Sequence, residues 1–109
     1  MKLRMEQGNI TIRLSPSEIG DLREKKTLKE ELFISGTNRF SFTVNINDRS
    51  VSCRANFSRN SLIIEVPLEK AEKWMNSGQI GIKETIVTEA SAPFVLVLEE
   101  DLRPRKYRK

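Results

Sequence analysis

The sequence predicts an α+β domain made mainly of antiparallel strands, with the element order ββ-α-ββββ-α-ββ and two short helices. Two patterns support this prediction. Several segments of the 109-residue chain alternate apolar and polar residues, which is the period of a half-buried strand. Two other segments repeat apolar residues every three or four positions, as a core-packed helix does. We expect one domain over residues 1–102, arranged as a sheet or as a partly open barrel.

Residues 2–14 form a predicted β-hairpin. Gly8 and Asn9 supply a two-residue turn with glycine in the first position, which suits a type II′ turn. This register places Arg4 directly opposite Arg13 on the polar face of the hairpin.

A short helix is predicted to begin immediately after this hairpin. Ser15 is the expected N-cap, Pro16 the first helical residue and Glu18 the returning half of a capping box. Ile19 and Leu22 would then face the core. The helix is about ten residues long.

The middle of the chain shows the clearest alternation. An edge strand at residues 28–34 is followed by three strands, which the pattern predicts to form one antiparallel meander with a single apolar face. Short loops would pair Phe42 with Ala55 and Phe57 with Leu62. The apolar residues of this pattern are Phe40, Phe42, Val44, Ile46, Val51, Cys53, Ala55, Phe57, Leu62, Ile64 and Val66.

Pro67 opens a second predicted helix with one apolar face, and Gly78 is its expected C-cap. Two strands follow, at residues 81–87 and 94–99. The last strand has no alternation, which predicts a central strand covered on both faces. The sequence shows no convincing internal repeat. The inward residues of this helix are Leu68, Ala71, Trp74 and Met75.

The composition excludes several kinds of catalytic site. The chain has no histidine and one cysteine, so triads that need histidine, intrachain disulfides and zinc sites built on several cysteines cannot form. Cys53 lies on the predicted apolar face, which indicates a buried, inert thiol. We therefore expect no catalytic residue, no cofactor and no metal. Trp74 is expected to pack in the core rather than to anchor a partner.

Three consecutive carboxylates near the end of the last strand are the candidate ligands for a hard divalent ion. A carboxylate enzyme using such an ion is therefore a third functional class to consider. Consecutive strand residues point to opposite faces, however, so all three do not easily meet one ion. These residues are Glu99, Glu100 and Asp101.

No segment is long and apolar enough to span a bilayer. The first residues also lack the apolar stretch of a signal peptide. We therefore expect a cytoplasmic protein that does not enter membranes.

Arginine residues on the predicted polar sheet face are the first candidate binding site. Arg4, Arg13 and Arg54 are accompanied there by hydroxyl-bearing side chains, and together these groups can hold a phosphate or carboxylate group. The alternative is an ordinary solvated sheet face, in which Arg54 lies directly opposite Glu65 as a cross-strand pair.

The net charge of +4 resides in the last seven residues, which contain five basic residues and no acidic one. Such a tail can contact a nucleic-acid backbone, with the tyrosine ring stacking on a base. The alternative is a solubilising terminus without a binding role. The candidate nucleic-acid-binding residues are Arg103, Arg105, Lys106, Tyr107, Arg108 and Lys109.

Four segments of the chain resemble a family of small uncharacterised bacterial proteins. They are the opening MKLRMEQGNITIRLSPSEIGDLREKKTLKEE, the strand VSCRANFSRNSLIIEVP, the helix segment AEKW and the ending FVLVLEEDL. The resemblance covers about residues 1–102 and carries no assigned activity, substrate or catalytic residue. Members of this family tend to continue with a cysteine and an acidic tail, whereas this chain continues with the basic residues 103–109.

These observations favour a non-enzymatic binding or protein-interaction domain. Its edge strand would be available to pair with a second copy of the chain or with another protein. The alternative is a weak nucleic-acid or polyanion binder that acts through the basic tail.

Overall fold

The computed structural model describes residues 1–76, 81–88 and 91–101. These residues form eight strands and two helices in the predicted order ββ-α-ββββ-α-ββ. The predicted Gly78 cap and the basic tail lie outside the described residues. The elements are β1 (Lys2–Glu6), β2 (Asn9–Leu14), α1 (Pro16–Lys25), β3 (Thr27–Ser35), β4 (Asn38–Asn47), β5 (Arg54–Ser58), β6 (Ser61–Pro67), α2 (Leu68–Asn76), β7 (Gly81–Thr88) and β8 (Ser91–Glu100).

The strands form two four-stranded sheets and no closed barrel. Sheet A has the order β1-β2-β8-β7 and sheet B the order β3-β4-β6-β5. Each sheet consists of two antiparallel hairpins whose second strands pair in parallel. Buried apolar residues of both sheets belong to one cluster, so the sheets pack face to face as a sandwich. The α+β prediction is confirmed, but the barrel arrangement is wrong.

Helix α1 begins as the sequence predicts. The backbone N–H of Glu18 donates to Ser15 Oγ at 3.2 Å, and the N–H of Ser15 donates to Glu18 Oε1 at 2.9 Å, which completes the capping box. The helix ends at Lys26, which adopts a left-handed conformation with φ 64°. Ile19 and Leu22 are both buried, as predicted.

The first hairpin forms, but its turn lies one residue earlier than predicted. Its turn residues are Gln7 and Gly8, and Gly8 has φ 79°, a conformation that glycine adopts without strain. The register therefore moves by two residues, so that Arg4 faces Thr11 rather than Arg13. A shift of two positions leaves every side chain on its predicted face.

The predicted meander is wrong in one pairing. The hairpin between β5 and β6 forms with Phe57 opposite Leu62, as expected. Strand β4 does not pair with β5, and Phe42 instead pairs in parallel with Leu62. Both arrangements keep the apolar residues on one face, so the alternation pattern does not distinguish between them.

Helix α2 and strand β8 agree largely with their sequence patterns. Ala71 and Trp74 of α2 are buried, which confirms the core role predicted for the tryptophan. Strand β8 is central, between β2 and β7. Leu96 and Leu98 are fully buried, but the opposite face of β8 is only half-buried. Neither described helix is long and apolar enough to cross a membrane.

The two halves of the chain repeat one ββαββ unit, which the sequence did not reveal. In the first hairpins, the pair Leu3 and Ile12 corresponds to Ala55 and Ile64, an offset of 52 residues for both partners. Strands β1, β2, α1, β3 and β4 thus correspond in order to β5, β6, α2, β7 and β8.

The second hairpins repeat in the same way. Leu28 pairs with Val44 in β3 and β4, and Ile82 pairs with Leu98 in β7 and β8, an offset of 54 residues for both partners. The two-residue difference between the offsets falls between the hairpins, in the connection that contains each helix.

Contacts between the halves obey the same correspondence. The hydrogen bond from Ser41 N to Asn60 O and the bond from Val95 N to Gly8 O are both 3.0 Å long. Asn60 and Gly8 occupy the same turn position and both have positive φ. The halves are therefore related by a pseudo-twofold axis that exchanges the two sheets.

Candidate functional site

The largest pocket among the described residues lies at one end of sheet B and has a volume of about 580 Å³. This volume falls in the range of small-molecule sites. We call it the loop pocket, because the connection between β4 and β5 forms one wall. Its lining residues are Lys26, Ile46, Asn47, Asp48, Arg49, Ser50, Arg54, Glu65 and Leu68.

Both helices contribute to the loop pocket. Lys26 caps the end of α1, and its backbone carbonyl accepts a hydrogen bond of 2.8 Å from the N–H of Ile46 in β4. Leu68 is the first residue of α2, directly after β6. The pocket is thus built on the ends of four elements that the core holds in place.

Asn47 fixes the wall formed by the connection. Its Oδ1 atom accepts hydrogen bonds from the backbone N–H groups of Arg49 at 3.1 Å and Ser50 at 2.9 Å. This Asx-type turn holds the start of the connection against the sheet. The Nδ2 atom of Asn47 donates to Glu65 Oε2 at 3.1 Å.

Arg54 lies opposite Glu65 across β5 and β6, as the cross-strand alternative predicts. The two side chains nevertheless form no ion pair, because Glu65 interacts with Asn47 instead. Arg49 likewise forms no ion pair with any carboxylate that the structure describes. Three cationic residues therefore line the pocket beside two carboxylates, and two of the cations are guanidinium groups without an anionic partner in the described part of the chain.

The structure does not bring the three predicted arginines together. Arg4 and Arg13 lie on the outer face of sheet A, whereas Arg54 lies on the outer face of sheet B. Arg4 Nε pairs with Glu6 at 2.8 Å, and Arg13 Nε pairs with Glu99 at 3.5 Å. Both arginines on sheet A therefore have carboxylate partners, which leaves them less suited to an added anion.

The carboxylates at the end of β8 do not gather around one point. Glu99 pairs with Arg13, and Asp101 is buried with its backbone N–H donating to Leu14 O at 2.8 Å. Within residues 1–76, 81–88 and 91–101, no group of three acidic or cysteine side chains is arranged to hold a metal ion.

Strand β3 lies at the edge of sheet B, as predicted. Its final apolar residues are unusually open, since Phe33 is 68% and Ile34 73% exposed. The register with β4 shifts between Phe33 and Ser35, so Ile34 is the extra residue of a bulge. Bulges on edge strands hinder pairing with a further strand.

Cys53 takes part in a small polar cluster between the sheets. Its Sγ atom donates to Glu84 Oε2 at 3.1 Å, and Lys70 Nζ contacts the same oxygen at 2.5 Å. Glu84 occupies the inward phase of β7, between the buried Ile82 and Ile86. We call Cys53, Lys70 and Glu84 the seam cluster, because they join the edge strand of sheet A to the start of β5 in sheet B.

The seam cluster sets the protonation of its own groups. Burial, together with the adjacent Glu84 carboxylate, raises the pKa of the Cys53 thiol to about 12. Burial alone would raise the pKa of Glu84 too, but hydrogen bonds from Lys70 and Cys53 outweigh it, and this pKa is lowered. The thiol is thus a hydrogen-bond donor and not a nucleophile, as the sequence predicts.

The pseudo-twofold axis places a corresponding cluster at the opposite seam of the sandwich. Glu30 in β3 corresponds to Glu84, and Glu18 in α1 corresponds to Lys70. The amino group of Met1 contacts the carboxylates of both Glu18 and Glu30. Each seam is therefore closed by an inward-facing glutamate, although the partners differ.

The raised thiol pKa predicts a loss of stability at alkaline pH. The ordinary cysteine pKa is 9.0 and the folded value about 12, so between these values the unfolded state releases the proton first. Stability therefore falls as pH rises above 9. We expect the melting temperature to fall more steeply between pH 8 and pH 10.5 in the wild type than in Cys53→Ser, which retains a donor that does not titrate.

Both proteins contain the same lysine and tyrosine residues, so the difference between their curves isolates the thiol. Parallel curves would show that Cys53 is not buried against Glu84. Slow reaction of the native thiol with Ellman's reagent at pH 8, and rapid reaction in guanidinium chloride, provides a second measurement.

Comparison with known proteins gives one match. The model of a family described as "Family of unknown function (DUF7009)" matches residues 1–106. No curated protein matches the chain, and no solved structure does. The family match includes the first residues of the basic tail and confirms the resemblance to an unknown-function family.

Proposed function

Because the chain belongs to this family of unknown function, we propose its role from the site alone: it is a non-catalytic domain that binds a small organic anion in the loop pocket. The observation that supports this proposal is the pair of guanidinium groups, Arg49 and Arg54, which line the pocket without ion-pair partners among the described residues. Guanidinium groups bind phosphate and carboxylate through paired hydrogen bonds.

The apolar lining supports an organic ligand over a bare inorganic ion. Ile46 and Leu68 contribute aliphatic surface to the pocket beside the cationic residues. A ligand with an anionic head and a small apolar body would use both parts of this lining. The seam cluster does not supply a nucleophile, because the pKa of Cys53 lies far above neutral pH.

Calorimetric titration with phenyl phosphate and with benzoate tests the proposal, since these probes share an aromatic body and differ in the anionic head. We expect at least one of them to bind the wild type. We expect Arg54→Gln to weaken that binding by about tenfold or more, which corresponds to the loss of one charge-assisted hydrogen bond.

Arg4→Gln is the matched control, because Arg4 is an exposed arginine that pairs with Glu6 on the other sheet. It should bind each probe as the wild type does. Equal binding by Arg54→Gln and the wild type, or no binding of either probe at millimolar concentration, would refute the proposed site.

The same titration tests the alternative role of the basic tail. A ten-residue thymidine oligonucleotide is titrated into the full chain and into a chain that lacks residues 103–109. Binding that disappears with the tail and weakens strongly with salt would favour the nucleic-acid role instead. If neither small anions nor the oligonucleotide bind, a protein partner becomes the better explanation for this domain.

A further inference from the structure

Neither half of the chain contains a complete sheet. Residues 1–47 supply one hairpin to sheet A and one to sheet B, and residues 54–101 supply the other two. A two-stranded hairpin is marginal in water without further strands or packing. Each half therefore depends on a partner half for both of its sheets and for the shared core.

The partner half need not belong to the same chain. Two strand pairs, β2 with β8 and β4 with β6, join the halves within the sheets, and the same core cluster includes buried residues from both halves. The covalent link between the halves is only the connection of residues 48–53. This arrangement has the pseudo-twofold symmetry of a homodimer whose subunits are joined end to end.

We propose that the surface between the halves is a subunit-type interface that fits a second copy of this chain: residues 1–47 of one copy complete their fold with residues 54–101 of another. The product is an exchanged dimer with two complete sandwiches. Its sheets and core repeat those of the monomer, so only the connection differs between the two forms.

The connection decides which form is stable. Strands β4 and β5 lie on either side of β6, so the connection crosses two strand spacings, or about 9.6 Å. Deleting residues 48–52 leaves only Cys53 between the strands, and two Cα steps span at most about 7.6 Å. The shortened link cannot close within one chain, but it can pass straight from one sandwich into another.

The test is the mass of this deletion variant, measured by light scattering during size-exclusion chromatography. We expect twice the monomer mass with a β-rich circular dichroism spectrum like that of the wild type. The matched control inserts Gly-Ser-Gly-Ser between Ser50 and Val51, which lengthens the same connection and should leave the mass unchanged. A deletion variant that is a folded monomer would overturn the proposal.

A second measurement decides the matter if the deletion variant does not fold. A protease site is inserted between Ser50 and Val51 of the full chain, and the folded protein is then cut. We expect the two halves to remain associated, with an unchanged spectrum and a melting temperature that rises with protein concentration. Halves that separate or unfold after the cut would show that they do not recognise each other without the link.

Discussion

Gly81→Ala is expected to cost at least about 3 kcal/mol of stability, which is a large fraction of the total for a domain of this size. Gly81 begins β7 and lies opposite Glu99 in β8. A Cβ atom at this position would approach the carbonyl oxygen of Leu98 to 2.2 Å, and the obstructing atom belongs to the backbone. The start of β7 must therefore move away from the central strand.

Gly20→Ala is the control for this substitution. A Cβ atom at Gly20 meets no heavy atom within 4 Å, and the residue lies inside α1. Replacing a helical glycine with alanine stabilises a helix by up to about 1 kcal/mol. Urea unfolding should therefore shift in opposite directions for the two variants. A Gly81→Ala midpoint equal to that of the wild type would show that β7 and β8 approach less closely than described.

Trp74→Ala is expected to cost about 3–5 kcal/mol, the usual loss for a large aromatic residue removed from a core. Trp74 is 3% exposed and lies on the inward face of α2. It occupies the position that Leu22 occupies in α1, so each helix places one large side chain against the shared core. Thermal unfolding followed by circular dichroism measures the loss.

Trp74→Phe should cost less than Trp74→Ala, because a ring still fills most of the space. Glu72→Ala on the exposed side of the same helix should change stability by less than about 0.5 kcal/mol. Trp74 is the only tryptophan, so its native emission also reports burial directly. A Trp74→Ala variant as stable as the wild type, with solvent-like emission in the parent, would favour a partner-binding role for this side chain.

Local chemistry was sufficient to predict the elements, but not how the strands combine. Ser15 and Glu18 define the start of α1 because a capping box is a contact within four residues. The two-residue turn at Arg59 and Asn60 likewise brings β5 and β6 together. The connection before Arg54 is longer, so it permits β4 either to pair with β5 or to pass beyond it. Alternation specifies the buried face of a strand but not its neighbour.

The site was predictable only in part for a similar reason. The sequence identified Arg54, but it grouped this residue with Arg4 and Arg13, which lie on the other sheet. Glu84 of the seam cluster was not identified, although a charged residue between Ile82 and Ile86 interrupts an apolar phase. Glu30 interrupts β3 in the same way, and the correspondence of these two interruptions was the available sign of the internal repeat.

The two parallel strand pairs impose very different demands on the folding chain. In sheet B, Phe42 pairs with Leu62, so only 20 residues separate the partners. In sheet A, Ile10 pairs with Leu96 across 86 residues. Loop-closure entropy grows with the length of the enclosed chain, so contact order favours sheet B as the earlier product. The first hairpin has to wait for the last strand, and until then its apolar face is the surface most open to aggregation.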